Sequence, residues 1–163
     1  VTAFVAGAVV GIFQDTIDKI VLLAMFLPVL AGQSGNTGAQ ALAVLIREMT
    51  QGDLGPRVKA QLIKESILGV VHGFMVGCIC AIVMYVIASS QGNPHVITLS
   101  IIILFSMTAS CLVSGLMGAV VPVVLRKLGA DPAAGSSIIL TTGTDVVSMG
   151  VMLFLANKFI LGN

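Results

Sequence analysis

The charged residues of this chain are gathered into a few short stretches, and what lies between them is long and uncharged. Ile20–Ile46, Ser66–Gln91 and Val96–Leu125 carry no Asp, Glu, Lys or Arg, and Pro132–Asn157 carries only Asp145. A bilayer's hydrocarbon core is about 30 Å thick, and a helix of about 20 apolar residues crosses it. Each run has that length. Backbone N–H and C=O groups in hydrocarbon must be satisfied within the segment, so such runs predict helices. Charged side chains make up 9% of the 163 residues, against about 25% in a soluble domain, too few to cover a water-facing surface. The expectation is an all-α membrane protein, 1–163 forming one domain. It has five spans, at 1–14, 20–46, 66–91, 96–125 and 132–157, embedded in a lipid bilayer. The first run is short for a span and the chain opens without Met, so it is expected to continue upstream. The basic flank and small-residue cleavage site of a signal peptide are absent.

The loops orient the spans. Arg47, Arg57, Lys59 and Lys64 lie between the second and third runs, and Arg126 and Lys127 between the fourth and fifth. The loops at Gln14–Lys19 and Gln91–His95 hold Lys19 alone. Positive loops stay in the cytoplasm, which places a multi-pass chain in the plasma membrane with its C-terminus and Lys158 outside. A net charge of +1 without a basic run offers nothing to nucleic acid. Cys78, Cys80 and Cys111 all fall inside apolar runs and read as small packing residues, not a disulfide framework or a zinc site. Neither a nucleophile–base pair nor metal-hydrolase spacing is present, so the chain is not read as an enzyme.

Other features are architectural. Gly69, Gly73, Gly77 and Ala81 recur every four residues and line one helix face, a groove in which another helix can pack closely. Gly7 and Gly11 repeat the spacing. His72, beside that stripe, is expected to hydrogen-bond a neighbouring helix. Gln91-Gly92-Asn93-Pro94 is a turn signal. Asp131 before Pro132 has the form of a helix N-cap followed by proline at the first helical position.

Two features are hard to explain as packing. Asp145 is the one acid deep inside a run. A carboxylate there costs at least about 2.5 kcal/mol, and no basic residue lies at its depth, so a cation or a water-filled cavity is its natural partner. Ser137, Thr141, Asp145 and Ser148 follow at helical intervals with Thr144 at the edge, a polar stripe suited to lining something wet. A protonated aspartate hydrogen-bonded inside a bundle is the alternative. The second feature is Gly32-Gln33-Ser34-Gly35-Asn36-Thr37-Gly38, preceded by Pro28. Three glycines are poor helix formers, so the second span is expected to break there, near the depth of Asp145, and expose carbonyl oxygens that suit hard cations; a continuous glycine-packed helix is the alternative. Carboxylate, hydroxyl and carbonyl oxygens together suit Mg²⁺, Mn²⁺ or Ca²⁺ over soft metals. One acid is a thin supply of charge for a divalent ion, and a two-fold dimer doubles it.

The residues Pro28-Val-Leu-Ala-Gly-Gln-Ser-Gly-Asn-Thr-Gly-Ala-Gln40, with Arg47 after them, resemble the second-span signature of the MgtE family of magnesium channels. Pro122-Val-Val-Leu-Arg-Lys-Leu-Gly-Ala-Asp-Pro132 is similar to that family's connection between fourth and fifth spans, and Thr144-Asp145-Val146 to its fifth-span motif. The three motifs occur in order with family spacing over essentially the whole chain. The resemblance implies a homodimer of five-span subunits with the pore on the two-fold axis, lined by spans two and five and passing Mg²⁺. It implies Asp145 as the central acid, main-chain oxygens from Gly32 and Gly35, and Thr141 and Ser137 along the path toward the cytoplasm. Asn36, Ala39, Gln40, Ala43, Thr144 and Ser148 would also line it. Ala39 and Ser137 stand where family members can have asparagine and Ala43 where they can have threonine, so discrimination against Mn²⁺ and Ca²⁺ is expected to be relaxed. The cytoplasmic N-terminal and CBS domains that sense magnesium in the family are not in this sequence, which reads as an excised membrane domain or a minimal member. Asp15 and Asp18, three apart near the outward turn, either mark an outer mouth that concentrates cations or are a solvated turn. A cation-coupled exchanger and a non-transporting membrane subunit are the competing functions.

Overall fold

A computed structural model describes residues 2–52 and 57–162; Val1, where the first span was expected to start, lies outside them. The described chain is all-helical, as expected: α1 Thr2–Ile12, α2 Gln14–Lys19, α3 Leu22–Gln51, α4 Val58–Ser90, α5 Val96–Lys127 and α6 Pro132–Ala156, extended by a π-helical turn at Asn157–Leu161.

The turns follow from their sequences. α5 ends in a Schellman motif: Gly129 takes φ +75°, where a side chain would be strained. Its N–H donates to Arg126 O (3.2 Å) and that of Ala130 to Leu125 O (2.9 Å), satisfying carbonyls that the helix end orphans. α6 starts as its sequence predicts, with Asp131 Oδ1 accepting from Ala133 N (2.9 Å) and Pro132 at the first helical position.

α5 is the centre of the bundle and packs on α3, α4 and α6; α1 lies against α6. The α4 glycines make the closest approach. A Cβ on Gly69 would lie 2.5 Å from Cys111 O, and one on Gly73 would lie 2.8 Å from Cys111 Cβ and 2.9 Å from Met107 O. Gly115 on α5 would likewise meet Glu65 O at 2.8 Å. The paired numbers rise on one helix as they fall on the other, so α4 and α5 are antiparallel. The core is Leu23, Leu30, Met84, Leu99, Ile103, Met107 and Met152, all fully buried, with buried Cys80 and Cys111 packed among them as free thiols.

Three expectations change. α3 is not broken at Gly32–Gly38 but runs continuously through it and through Pro28. The hydroxyls of Ser34 and Thr37 donate to Ala31 O (3.1 Å) and Gln33 O (2.9 Å) on the same helix, so the polar side chains are satisfied without opening the backbone. Gly38 is spent on packing: its Cβ would lie 2.9 Å from Leu140 Cδ1 and 3.1 Å from Ser114 O. At Gly38 tertiary contact thus overrides a propensity penalty of about 1 kcal/mol. Second, of the five expected spans, three helices among the described residues, Val58–Ser90, Val96–Lys127 and Gly135–Leu161, are by themselves long and apolar enough to cross a membrane. α3 has the length, about 45 Å at 1.5 Å per residue, but its middle is too polar. α1, at 11 residues, is about 16 Å long. Third, Gln14–Lys19 is a short helix, not a turn, held to the C-terminal segment by Asn157 Nδ2 donating to buried Thr16 Oγ1 (3.0 Å).

Candidate ion site

α3 and α6 pack side by side. Two clusters fix which ends meet. Ile46, Met49 and Thr50 of α3 share a pocket with Arg126, Asp131 and Pro132; Lys19 and Ile20 share one at the opposite end with Asn93, His95 and Leu161. α3 therefore finishes where α6 begins, and the two are antiparallel. Counting in opposite directions from the Gly38–Leu140 contact puts Asp145 level with Gly32–Gly35, Thr141 level with Thr37 and Ser137 level with Ala41. The similar depth of Asp145 and the glycine-rich stretch, inferred by counting residues, matches this register.

Exposure divides the expected residues. On α3, Gly32, Asn36, Ala39, Gln40 and Ala43 are exposed and Gly35 is half-buried, while Leu30, Ser34, Thr37, Ala41 and Leu45 on the opposite side are buried. Gly32 and Gly35 have no other group within 4 Å of where a Cβ would stand, so their backbone is bare on that face. On α6, Ser137 and Thr141 are exposed and Asp145 is half-buried. Thr144 and Ser148 are fully buried, their hydroxyls donating to Thr141 O and Asp145 O (both 3.1 Å). They leave the exposed stripe, a correction to placing them with the lining residues. One turn beyond Asp145 the face is closed by packing, so the open part of the stripe runs from Ser137 to the carboxylate.

The stripe is sparse in ligands. Among the described residues no three His, Cys, Asp or Glu side chains gather to hold a metal, so one chain offers one carboxylate, two hydroxyls and the second lone pairs of helix carbonyls. Such a set does not enclose a bare ion. It matches an ion that keeps its own water, as Mg²⁺ does. Asp15 and Asp18 are exposed on α2, at the end of the bundle opposite Arg126.

His72 departs from expectation: its Nε2 is buried without a hydrogen-bond partner. Sequence reasoning also missed Gln61 and Glu65, both buried, with Gln61 Nε2 donating to Glu65 Oε1 (2.7 Å). Their four-residue spacing on α4 was the available signal.

A family description, MgtE divalent cation transporter, matches residues 27–155, which holds the whole α3 signature, the α5–α6 connection and Asp145. The chain is 28% identical over 157 residues to a magnesium transporter MgtE of Bacillus subtilis, covering 96% of this chain and 34% of that protein. It is 29% identical over 154 residues to the one of Enterococcus faecalis (94% and 33%) and 28% over 156 residues to the one of Thermus thermophilus (95% and 33%). The chain thus spans about a third of the length of these curated relatives. With three motifs in order and a family match over most of its length, this chain belongs to the MgtE family of divalent cation transporters.

Proposed function

We propose that the chain is the membrane part of a magnesium transporter and passes Mg²⁺ through a pore on the two-fold axis of a homodimer, with Asp145 as the central acid. The observation that carries this reading is the polar stripe Ser137–Thr141–Asp145, exposed at its two hydroxyls and half-buried at the carboxylate, on a helix apolar enough to span a membrane and level with the bare backbone of Gly32 and Gly35. Facing lipid, that stripe would cost several kcal/mol, at least about 2.5 for the aspartate alone. Facing a second copy across water, it becomes an ion path whose charge doubles. α3 serves as the second span, its polar middle turned to the path, and α1 as the end of the first. α4, α5 and α6 complete five, oriented in the plasma membrane with the basic ends of the bundle in the cytoplasm.

In this path the ion moves with most of its inner waters. Asp145 from each subunit accepts hydrogen bonds from those waters and supplies charge; Thr141 and Ser137, and Asn36 and Ala39 across from them, meet the shell toward the cytoplasm. Gly32 and Gly35 offer carbonyl oxygens without a side chain in the way. Cytoplasmic regulatory domains, where a longer chain carries them, would act on the cytoplasmic ends of α3 and α6. The test is Mg²⁺ uptake into vesicles reconstituted with the purified chain, with its mass in mild detergent measured by light scattering. A dimer and uptake driven by the Mg²⁺ gradient and voltage are expected; a transport-active monomer contradicts the shared pore, and an absolute need for a counter-ion contradicts a passive one.

A further inference from the structure

A second polar cleft lies on the other flank of α3, away from α6. It encloses about 270 Å³ between α3 and α4 and is lined by Thr37 and Gln40 on one side and Lys64, Glu65, Leu68 and His72 on the other. The uncharged run of α4 begins at Ser66, so Lys64 and Glu65 stand at headgroup level. His72, seven residues on, is about 10 Å deeper. Lys64 is exposed and Glu65 is 6% exposed, its Oε1 holding the Gln61 amide. Beyond them the outer face of α4 is exposed and apolar through Ile67, Val71 and Met75.

We infer that this cleft binds a phospholipid of the cytoplasmic leaflet that carries a primary ammonium, of the phosphatidylethanolamine class. The charges are complementary in both senses. Lys64 pairs with the phosphate, a charge-assisted contact, and the buried Glu65 carboxylate has acceptor capacity beyond its single bond from Gln61 for a donating ammonium. His72 lines the deep end of the cleft, at the depth of the acyl esters, and the chains lie along Leu68, Ile67 and Val71. A lipid with phosphate alone leaves Glu65 unanswered and sets it against a like charge. A quaternary ammonium has no N–H to give it.

Native mass spectrometry of the purified chain, with equimolar phosphatidylethanolamine, phosphatidylcholine and phosphatidylglycerol, tests the inference. Phosphatidylethanolamine adducts are expected to exceed either other lipid severalfold. Glu65→Gln, which keeps an acceptor for Gln61, should abolish that preference, and Lys64→Gln, at an exposed position, should weaken phosphatidylethanolamine and phosphatidylglycerol alike. Equal retention of the three lipids, or a preference untouched by both substitutions, overturns it. So does a Glu65→Gln protein that loses its dimer while lipid binding stays unchanged, because the cleft would then be a subunit contact.

Discussion

Substituting alanine at Gly73 and at Gly35 makes the same chemical change in two helices and is expected to move stability in opposite directions. At Gly73 the new methyl would sit 2.8 Å from Cys111 Cβ and 2.9 Å from both Met107 O and Thr108 Cα, where contacts of about 3.5 Å are comfortable. Relief requires α4 and α5 to part by about 0.6 Å. A gap of that size forfeits a quarter to a half of the dispersion well of each contact along the seam, including those at Gly69 and Gly77. Overpacking of this kind costs about 1–3 kcal/mol, a fall in melting temperature of about 2–12 °C for a chain of this length. At Gly35 nothing stands within 4 Å, and alanine gains about 1 kcal/mol of helix propensity, a rise of about 2–4 °C. Thermal unfolding of both variants in one detergent, followed by circular dichroism, measures the difference. A Gly73→Ala protein that melts within a degree of the parent refutes the close α4–α5 approach, and a Gly35→Ala protein less stable than the parent refutes the unbroken α3.

Other perturbations address other parts of the molecule. Asp131→Ala removes the acceptor for Ala133 N and should lower stability by about 1 kcal/mol, read as a melting shift of about 2–4 °C; an unchanged melt removes the cap from the account. Neutralising Asp15 and Asp18 together should reduce Mg²⁺ flux only modestly, and more at low ionic strength, where screening is weak; a salt-independent change assigns them to a solvated helix instead. Ala39→Asn adds an amide to the exposed face of α3 and should sharpen selectivity for Mg²⁺ over Mn²⁺ and Ca²⁺ in competition flux; an unchanged ratio takes position 39 out of the filter.

Much of the helical plan was legible because bilayer physics leaves few choices. Charge-free runs marked α4 and α5 and a run with Asp145 as its one charge marked α6, the spacing of Gly69, Gly73 and Gly77 marked the seam with α5, and Asp131-Pro132 marked the start of α6. The glycine-rich stretch misled for a physical reason. Propensity scales describe helices whose backbone competes with water, whereas in α3 the hydroxyls of Ser34 and Thr37 bond back to their own helix and Gly38 is held by Leu140 and α5. Thr144 and Ser148 share the spacing of the polar stripe, but periodicity cannot say where a neighbouring helix covers a face, and α6 is covered beyond Asp145 while open below it. His72 was expected to find a partner on another helix; the cleft beside it was not legible, because it is made by two helices that barely touch.

The most direct test of the transport reading is Mg²⁺ flux through Asp145→Asn in reconstituted vesicles, with folding and dimer mass checked on the same sample. Across one layer of water, at about 5 Å and an effective dielectric constant of about 20, a carboxylate attracts a divalent ion by about 7 kcal/mol before desolvation is subtracted. Since about 1.4 kcal/mol is a factor of ten, the amide should cut flux by far more than about tenfold while the dimer stays folded. Parental flux through a folded Asp145→Asn dimer would contradict the account, for the ion would then cross without the one acid placed to receive it.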